Sequence, residues 1–156
     1  AYLGTGAAGT NRTIVAADGT VPAPNETTNT NTSVSGAVAL DLSTGTTFVL
    51  TLTANVTGFT ITNAPYNGSQ TITLVLSQDA TGSRAIPVTA WSSTSSAFTV
   101  NGTAVSVKWA GGTGPSTTAG TLSTTASATD IITLVINRSA GSTTAVYGFL
   151  SGKAFS

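Results

Sequence analysis

The stretch TITLVLSQD, residues 71–79, carries the pattern that decides the fold class of this chain. Three apolar side chains alternate in it with small or β-branched ones: Ile72, Leu74 and Leu76 stand among Thr73, Val75 and Ser77. Successive side chains of a β-strand point to opposite faces, so one row faces a core and the other faces solvent or a second layer. The stretch therefore predicts a β-strand.

The segment IITLVINRS, residues 131–139, is similar to that stretch. Two explanations stay open. The two segments are facing strands of two similar halves, or they share only the Ile, Leu, Val and Thr content of any two core strands.

The same two-residue period runs from Gly36 onward, in segments rich in Thr and Val, which fit a pleated surface. These segments recur about every ten residues between turn signals, which lie at residues 43–45, 64–68, 79–82 and 139–142. No segment shows the 3.6-residue period of a helix. We therefore predict an all-β fold, an antiparallel β-sandwich of the jelly-roll kind, over residues 36–156.

Residues 1–35 differ from the rest because they are small and polar. The run VPAPNETTNTNT, residues 21–32, contains two prolines and cannot form a helix or a central strand. We predict an extended N-terminal arm over residues 1–35, with one short strand at residues 12–16. An arm with so few apolar groups orders only against a neighbour.

The charge content excludes several classes of function. Charged residues make up 6% of the 156 residues, and five basic side chains balance five acidic ones. The basic residues are spread along the sequence, so no patch for nucleic acid is expected. No apolar run reaches 18 residues, and neither a membrane span nor a signal peptide is expected. A near-neutral surface favours association with other proteins.

The residue inventory also argues against catalysis. Cys, His and Met are absent, which removes disulfides, thiolate or imidazole metal sites, and a histidine base for a serine nucleophile. Asp79 and Asp130, at the end of one predicted strand and the start of another, are the best candidates for a carboxylate pair, and residues 78–82, with Asp79 alone, are the nearest cluster for a calcium site. A structural role in a turn or at a strand end explains these two carboxylates better. We therefore predict no catalytic residue, no cofactor and no metal.

Aromatic residues are the candidate contacts with a partner or a glycan, namely Trp91, Tyr66, Tyr2 and Tyr147. Trp109 follows Val105 and Val107 at a two-residue period, so we expect it in the core. In VKWAGGTGP, residues 107–115, it would anchor a strand that runs into a wide glycine turn. Tyr147 shares a face with Phe149 on the last strand, opposite Val146 and Leu150, and such a strand suits a subunit interface.

From Asp41 to Phe155 the chain resembles a small β-sandwich module of virion proteins in tailed bacteriophages, including fibre-like and capsid-surface proteins. The matching residues occur in the order of that family's motifs: Gln78, Asp79, Ala80, Thr81, Gly82, Arg84, Val107, Lys108, Trp109, Gly111, Gly112, Thr113, Pro115, Asp130, Gly148, Leu150, Gly152 and Phe155. An insertion at residues 90–104 departs from the pattern. We expect it to lengthen a loop or add a hairpin, and such a loop is a place for specificity.

The resemblance implies a virion structural protein on the capsid surface, a decoration or cement protein that stabilises the shell. Its expected partner is the major capsid protein, and it would act as a homo-oligomer, most often a trimer. An alternative is a tail or fibre module that recognises a host surface glycan, with Trp91 or Tyr66 stacking on sugar. A third is a secreted adhesin or carbohydrate-binding module.

Overall fold

The structure, a computed structural model, describes residues 26–156, and its regular elements are almost entirely strands. Their bounds are β1 Thr28–Asp41, β2 Thr47–Thr62, β3 Gly68–Gln78, β4 Phe98–Val100, β5 Thr103–Ala104, β6 Val107–Trp109, β7 Thr129–Ser139 and β8 Ser142–Phe155. Two short 3-10 turns, Val88–Trp91 and Thr94–Ser96, stand between β3 and β4. In the described part of the chain, no helix is long and apolar enough to cross a membrane.

The described strands form one mixed sheet in the order β5-β4-β2-β3-β7-β8-β6, with β1 on the other edge of β2. β2 pairs in parallel with β1, β3 and β4, whereas β7 pairs in antiparallel fashion with β3 and β8. The all-β prediction is confirmed. The finer prediction of an antiparallel sandwich is not, because all three strands that pair with β2 lie parallel to it, and β6 also pairs in parallel with β8.

β1 and β2 are curled, which follows from their register. Thr28 pairs with Thr47, and Asp41 pairs with Thr62, so residues 42–46 must bring the chain back to its starting level. That return spans at most about 21 Å, whereas a straight strand of this length would reach roughly 45 Å. Irregular pairing between Asn31 and Ala37, where Gly36 has a φ of +60°, provides the bend.

Two tight hairpins complete the sheet. Asn101 and Gly102, with φ values of 47° and 80°, join β4 to β5, and Ala140 and Gly141, at 49° and 78°, join β7 to β8. Two-residue turns with both φ values positive match the twist of the strands they connect. The similar segments at 71–79 and 131–139 belong to β3 and β7, which are direct neighbours in the sheet.

The core lies on the concave side of the curled sheet and takes one of every two residues. In β7 the buried and half-buried positions alternate strictly from Thr129 to Arg138. The largest fully buried side chains are Trp91, Phe48, Phe59, Phe98, Leu40, Leu50, Ile61, Ile72, Leu74, Ile86, Ile132 and Leu134.

The boundary predicted at residue 35 falls inside a strand. β1 begins at Thr28, and Val34 within it is buried in the core. Glu26 and Thr27 are already attached, because Thr47 Oγ1 donates to Glu26 Oε2 at 3.0 Å and Thr46 N donates to Thr27 O at 3.1 Å. The rest of the predicted arm, including Tyr2 and the short strand at 12–16, lies outside the described residues.

Candidate functional site

The convex side of the sheet presents an outer face, which we define by fifteen of the half-buried and exposed positions on five strands. These are Thr28 and Thr30 of β1, Thr47, Val49 and Thr51 of β2, Thr71, Thr73, Val75 and Ser77 of β3, Thr129, Ile131, Thr133 and Val135 of β7, and Tyr147 and Phe149 of β8. None of these side chains is charged. Most of its residues are β-branched, and at β8 it is bordered by the aromatic rings of Tyr147 and Phe149.

The strand register aligns the outer face into rows across the sheet. Thr28, Thr47, Thr73 and Thr133 are successive Cα partners, and the row ends at Phe149. Partners in adjacent strands are about 4.8 Å apart. A second row reads Thr30, Val49, Val75 and Ile131. The outer face is therefore a regular array in which hydroxyl and methyl groups repeat at the strand spacing.

Some hydroxyl groups of this face already have hydrogen-bond partners in the chain. The hydroxyls of Ser77 and Thr129 lie 2.8 Å apart, and the hydroxyl of Thr133 lies 2.7 Å from that of Ser151. A hydroxyl that keeps its hydrogen bond costs less to cover than one that loses a bond to water.

β8 contributes the most exposed apolar groups of the sheet. Tyr147 is 40% exposed and Phe149 is 45% exposed, and Leu150 and Phe155 are exposed further along the strand. Lys108 of β6 pairs with Tyr147, and its Nζ lies 5.9 Å from the centre of the tyrosine ring. The prediction that Tyr147 and Phe149 share a face is confirmed.

Tyr66 is a separate exposed aromatic, 68% exposed, on the loop that follows β2. Its ring lies so close to Gly141 that a Cβ there would be 2.9 Å from Tyr66 Cε2. Gly141 N donates to Tyr66 O at 2.9 Å, and Ala140 N donates to Asn67 Oδ1 at 2.6 Å. The tyrosine is therefore held on the β7–β8 turn, away from Tyr147.

A buried arginine holds the same loop in place. Arg138 is 8% exposed, and its guanidinium donates to Ala64 O at 2.9 Å, to Pro65 O at 3.2 Å and to Gly141 O. Its partners are carbonyl oxygens, and the structure gives it no ion pair with a described carboxylate. This cation therefore fixes the backbone under Tyr66 rather than serving as a ligand site.

The structure corrects the placement of Trp91, which is 2% exposed and cannot present its face to a sugar. Its ring stacks on Phe59 at 4.5 Å between centroids, and its Nε1 donates to Pro115 O at 2.7 Å. The insertion that contains Trp91 adds the β4–β5 hairpin, as expected. Phe98 and Val100 of that hairpin are buried, so the insertion extends the core rather than forming a purely exposed recognition loop.

The segment VKWAGGTGP proves to be scaffold. Val107–Trp109 is strand β6, and Gly112 N donates to Trp109 O at 3.0 Å to close the turn. Gly111 and Gly112 have φ values of 87° and 86°, which explains the glycine pair. Trp109 packs edge-on against Trp91 at 5.2 Å and lies over Gly148, where a Cβ would be 2.6 Å from its ring.

The acidic residues hold turns and loops. Asp79 Oδ1 accepts from the backbone N–H groups of Thr81 and Gly82, and its Oδ2 accepts from Arg84 Nη2 at 2.6 Å. The Arg84 guanidinium holds the pKa of Asp79 below its ordinary value. Asp130 is buried and accepts from Ser123 N, Ser123 Oγ and Ala154 N.

In these contacts the carboxylates of Asp79 and Asp130 hold the backbone of turns and loops in place. A cleft beside the start of β1 is lined by Glu26, Thr27, Leu42, Ser43, Gly45, Thr46 and Gln70, with one carboxylate among them. Residues 26–156 contain no group of three or more acidic side chains placed to hold a metal ion.

Sequence reasoning named Tyr66 and Tyr147 among the candidate contacts but missed the outer face as a unit. Its signal was present in the uncharged Thr and Val positions that alternate with the core. The alignment of those positions into rows required the register. Comparisons of the chain with protein-family models, with curated proteins and with solved structures find no match.

Proposed function

We propose that this chain is a structural protein of a tailed-bacteriophage virion, and that it decorates the capsid surface and stabilises the shell by protein–protein contacts. The observation that carries the proposal is the outer face, an uncharged array of β-branched residues bordered by Tyr147 and Phe149. Exposed apolar patches of this kind mark interaction surfaces. The resemblance to virion modules supports the biological setting.

The proposal divides the work between two parts of the chain. Residues 1–25, which precede the attachment of Glu26 and Thr27 to β2, bind the major capsid protein, and the sheet projects outward. The chain has no enzymatic role in this proposal and needs no cofactor. With its zero net charge, binding rests on apolar burial and backbone hydrogen bonds and depends little on salt.

Labelling of purified virions with an antibody to this chain, viewed by electron microscopy, tests the location directly. We expect label distributed over the capsid at symmetric positions. Label confined to the tail tip would favour the alternative below, and absence of the chain from washed virions would contradict the proposal.

A second candidate function is recognition of a host surface glycan, and Tyr66 is the observation that favours it. Its ring is 68% exposed and its loop is held by Arg138, so little order would be lost on binding. A glycan array probed with the chain and with Tyr66→Ala tests it. Val88, 45% exposed on the surface, gives the matched control Val88→Ala. Glycan binding lost only in Tyr66→Ala supports this function, and no binding by the unmodified chain excludes it for the glycans on the array.

A further inference from the structure

We propose that the outer face binds further copies of this chain, and that this contact forms the oligomer. The inference rests on the proposed function, because a protein that decorates symmetric capsid positions acts as an oligomer. It names the partner of the outer face, which the proposed function leaves open.

The composition of the outer face keeps the free-energy cost of burying it low. Val49, Val75 and Ile131 form its central row and are half-buried in the isolated chain. Branched side chains held in strands have little rotamer freedom left to lose on association, and the aromatic rings at β8 have two rotatable bonds each. Tyr and Phe are also enriched at the centres of interfaces.

The charges at the two ends of the sheet select a second copy as the occupant. Glu26, exposed, lies at the β1 end beside Thr47, and Lys108, exposed, lies at the β6 end beside Tyr147. When two copies associate with their strand orders running in opposite directions, Glu26 comes next to Lys108 of the partner subunit.

A different partner fits less well. A partner that brought charges onto this uncharged face would bury them without counter-charges, at a cost that exceeds their attraction. A second copy brings the same uncharged rows and hides no unpaired charge. Opposite charges at the rim then fix the relative orientation.

The size of the face sets the expected strength. Five strands at about 4.8 Å and four residue rows at about 6.7 Å give roughly 600 Å² per copy. This is below the roughly 800 Å² per partner of a standard stable interface. The oligomer should therefore form at micromolar concentrations and dissociate on dilution.

Sedimentation equilibrium of the whole chain over a concentration series tests the contact. We expect a closed dimer for the unmodified chain, because the same face of both copies is buried. Phe149→Asp should weaken the association at least tenfold, that is by about 1.4 kcal/mol or more. Val88→Asp places the same charge at an equally exposed apolar position outside the sheet and should leave association unchanged. Circular dichroism and a thermal melt establish that each variant is folded.

A charge exchange tests the orientation. Glu26→Lys and Lys108→Glu should each weaken association several-fold, and the double variant should restore it to within about twofold of the unmodified chain. If both single variants and the double variant associate equally, the proposed arrangement is wrong.

The outcomes separate this inference from the proposed function. A chain that is monomeric at about 100 µM, or an oligomer that Phe149→Asp leaves intact, overturns the self-association contact. Label on the capsid in the same study would leave the decoration role standing. If Phe149→Asp removes particle binding without changing the mass, the occupant is a capsid protein and the inference is wrong.

Discussion

At the scale of single residues, Trp91 is a buried aromatic side chain at which several elements of the described chain meet. It stacks on Phe59 with an interplanar angle of 12°, lies 6.4 Å from Phe98 and hydrogen-bonds Pro115 O. These contacts connect β2, the β4 hairpin and the loop after β6. Because so many elements meet at one side chain, its loss removes apolar burial and also strands a carbonyl oxygen.

Trp91→Ala should therefore lower the free energy of unfolding by about 3–5 kcal/mol, the usual cost of removing a large buried aromatic. Tyr66→Ala, which removes an exposed ring, should change it by no more than about 0.5 kcal/mol. Urea unfolding followed by circular dichroism measures both values. Equal effects of the two substitutions would contradict the burial assigned to Trp91.

At the same scale, Asp79 makes the stability of the folded protein depend on pH. The hydrogen bond from Arg84 is the main reason that its pKa lies below the ordinary value of about 3.8, and the backbone N–H groups of Gly82 and Thr81 act in the same direction. Asp41 also has a lowered pKa, mainly because Asn63 and Ser43 donate to it. The folded state therefore binds protons less readily than the unfolded chain at both sites.

We expect the stabilisation from these carboxylates to be complete above about pH 4–5 and to be lost as the pH falls through the lowered pKa values. The melting temperature should be nearly constant between about pH 5 and 8, because the chain has no histidine. The melting temperature of Asp79→Asn should be lower than that of the unmodified chain at neutral pH, and it should fall less when the pH is lowered. Thermal melts from pH 7 to pH 2 test this, and parallel curves for the two proteins would refute the role of Asp79.

At the scale of elements, the turn of the β7–β8 hairpin is stabilised both by its own residues and by contacts from other parts of the chain. Its turn places Ala140 at a φ of 49°, a conformation that Ala tolerates poorly and Asn tolerates well. Asn67 and Arg138 hold the turn from outside through Ala140 N and Gly141 O. These contacts explain why an unfavourable residue is accepted at this position.

Ala140→Asn should stabilise the protein by about 0.5–1 kcal/mol, since Asn–Gly is a preferred pair for this turn. Ala39→Asn, at an exposed position inside β1, is the matched control and should give no gain because Asn is disfavoured in strands. Chemical denaturation measures both. A loss of stability in Ala140→Asn would show that the turn depends on contacts of the alanine itself.

At the scale of the whole molecule, the described chain is bonded to the sheet from Glu26 and Thr27 onward. Residues 28–35 pair with β2 and contribute Val34 to the core. The curled pair of β1 and β2 lies at one end of the outer face and contributes to both rows described above, through Thr28 and Thr47 and through Thr30 and Val49. Removing part of β1 therefore damages the core as well as the face.

Deletion of residues 1–25 should leave a cooperatively folded protein with a melting temperature within about 3 °C of the whole chain. Deletion of residues 1–35 should lower it by about 8 °C or more, because part of the β1–β2 ladder and Val34 are lost. In the proposed function, only the shorter deletion tests capsid attachment cleanly, and it should abolish particle binding. Full binding by the shorter variant would refute attachment through residues 1–25.

Alternation of apolar and Thr or Val residues determined, from the sequence alone, that the fold is all-β, where most strands lie and which side chains enter the core. The glycine pair of VKWAGGTGP and the turn role of Asp79 were also accessible, because both depend on residues close in sequence. Local patterns report such features because φ preferences and side-chain alternation act over a few residues.

Tertiary structure decided the parallel pairing of β1, β2 and β3, the burial of Trp91 and the alignment of Thr28, Thr47, Thr73 and Thr133 into one row. Strand alternation is the same in parallel and antiparallel sheets, so it does not reveal which strand lies beside which. The curl of β1 follows from bulges and from the short return to β2. Trp91 is buried because the β2–β4 pairing places Phe59 beside Phe98, and Trp91 packs on both rings. The outer face exists only because the register places residues far apart in sequence side by side.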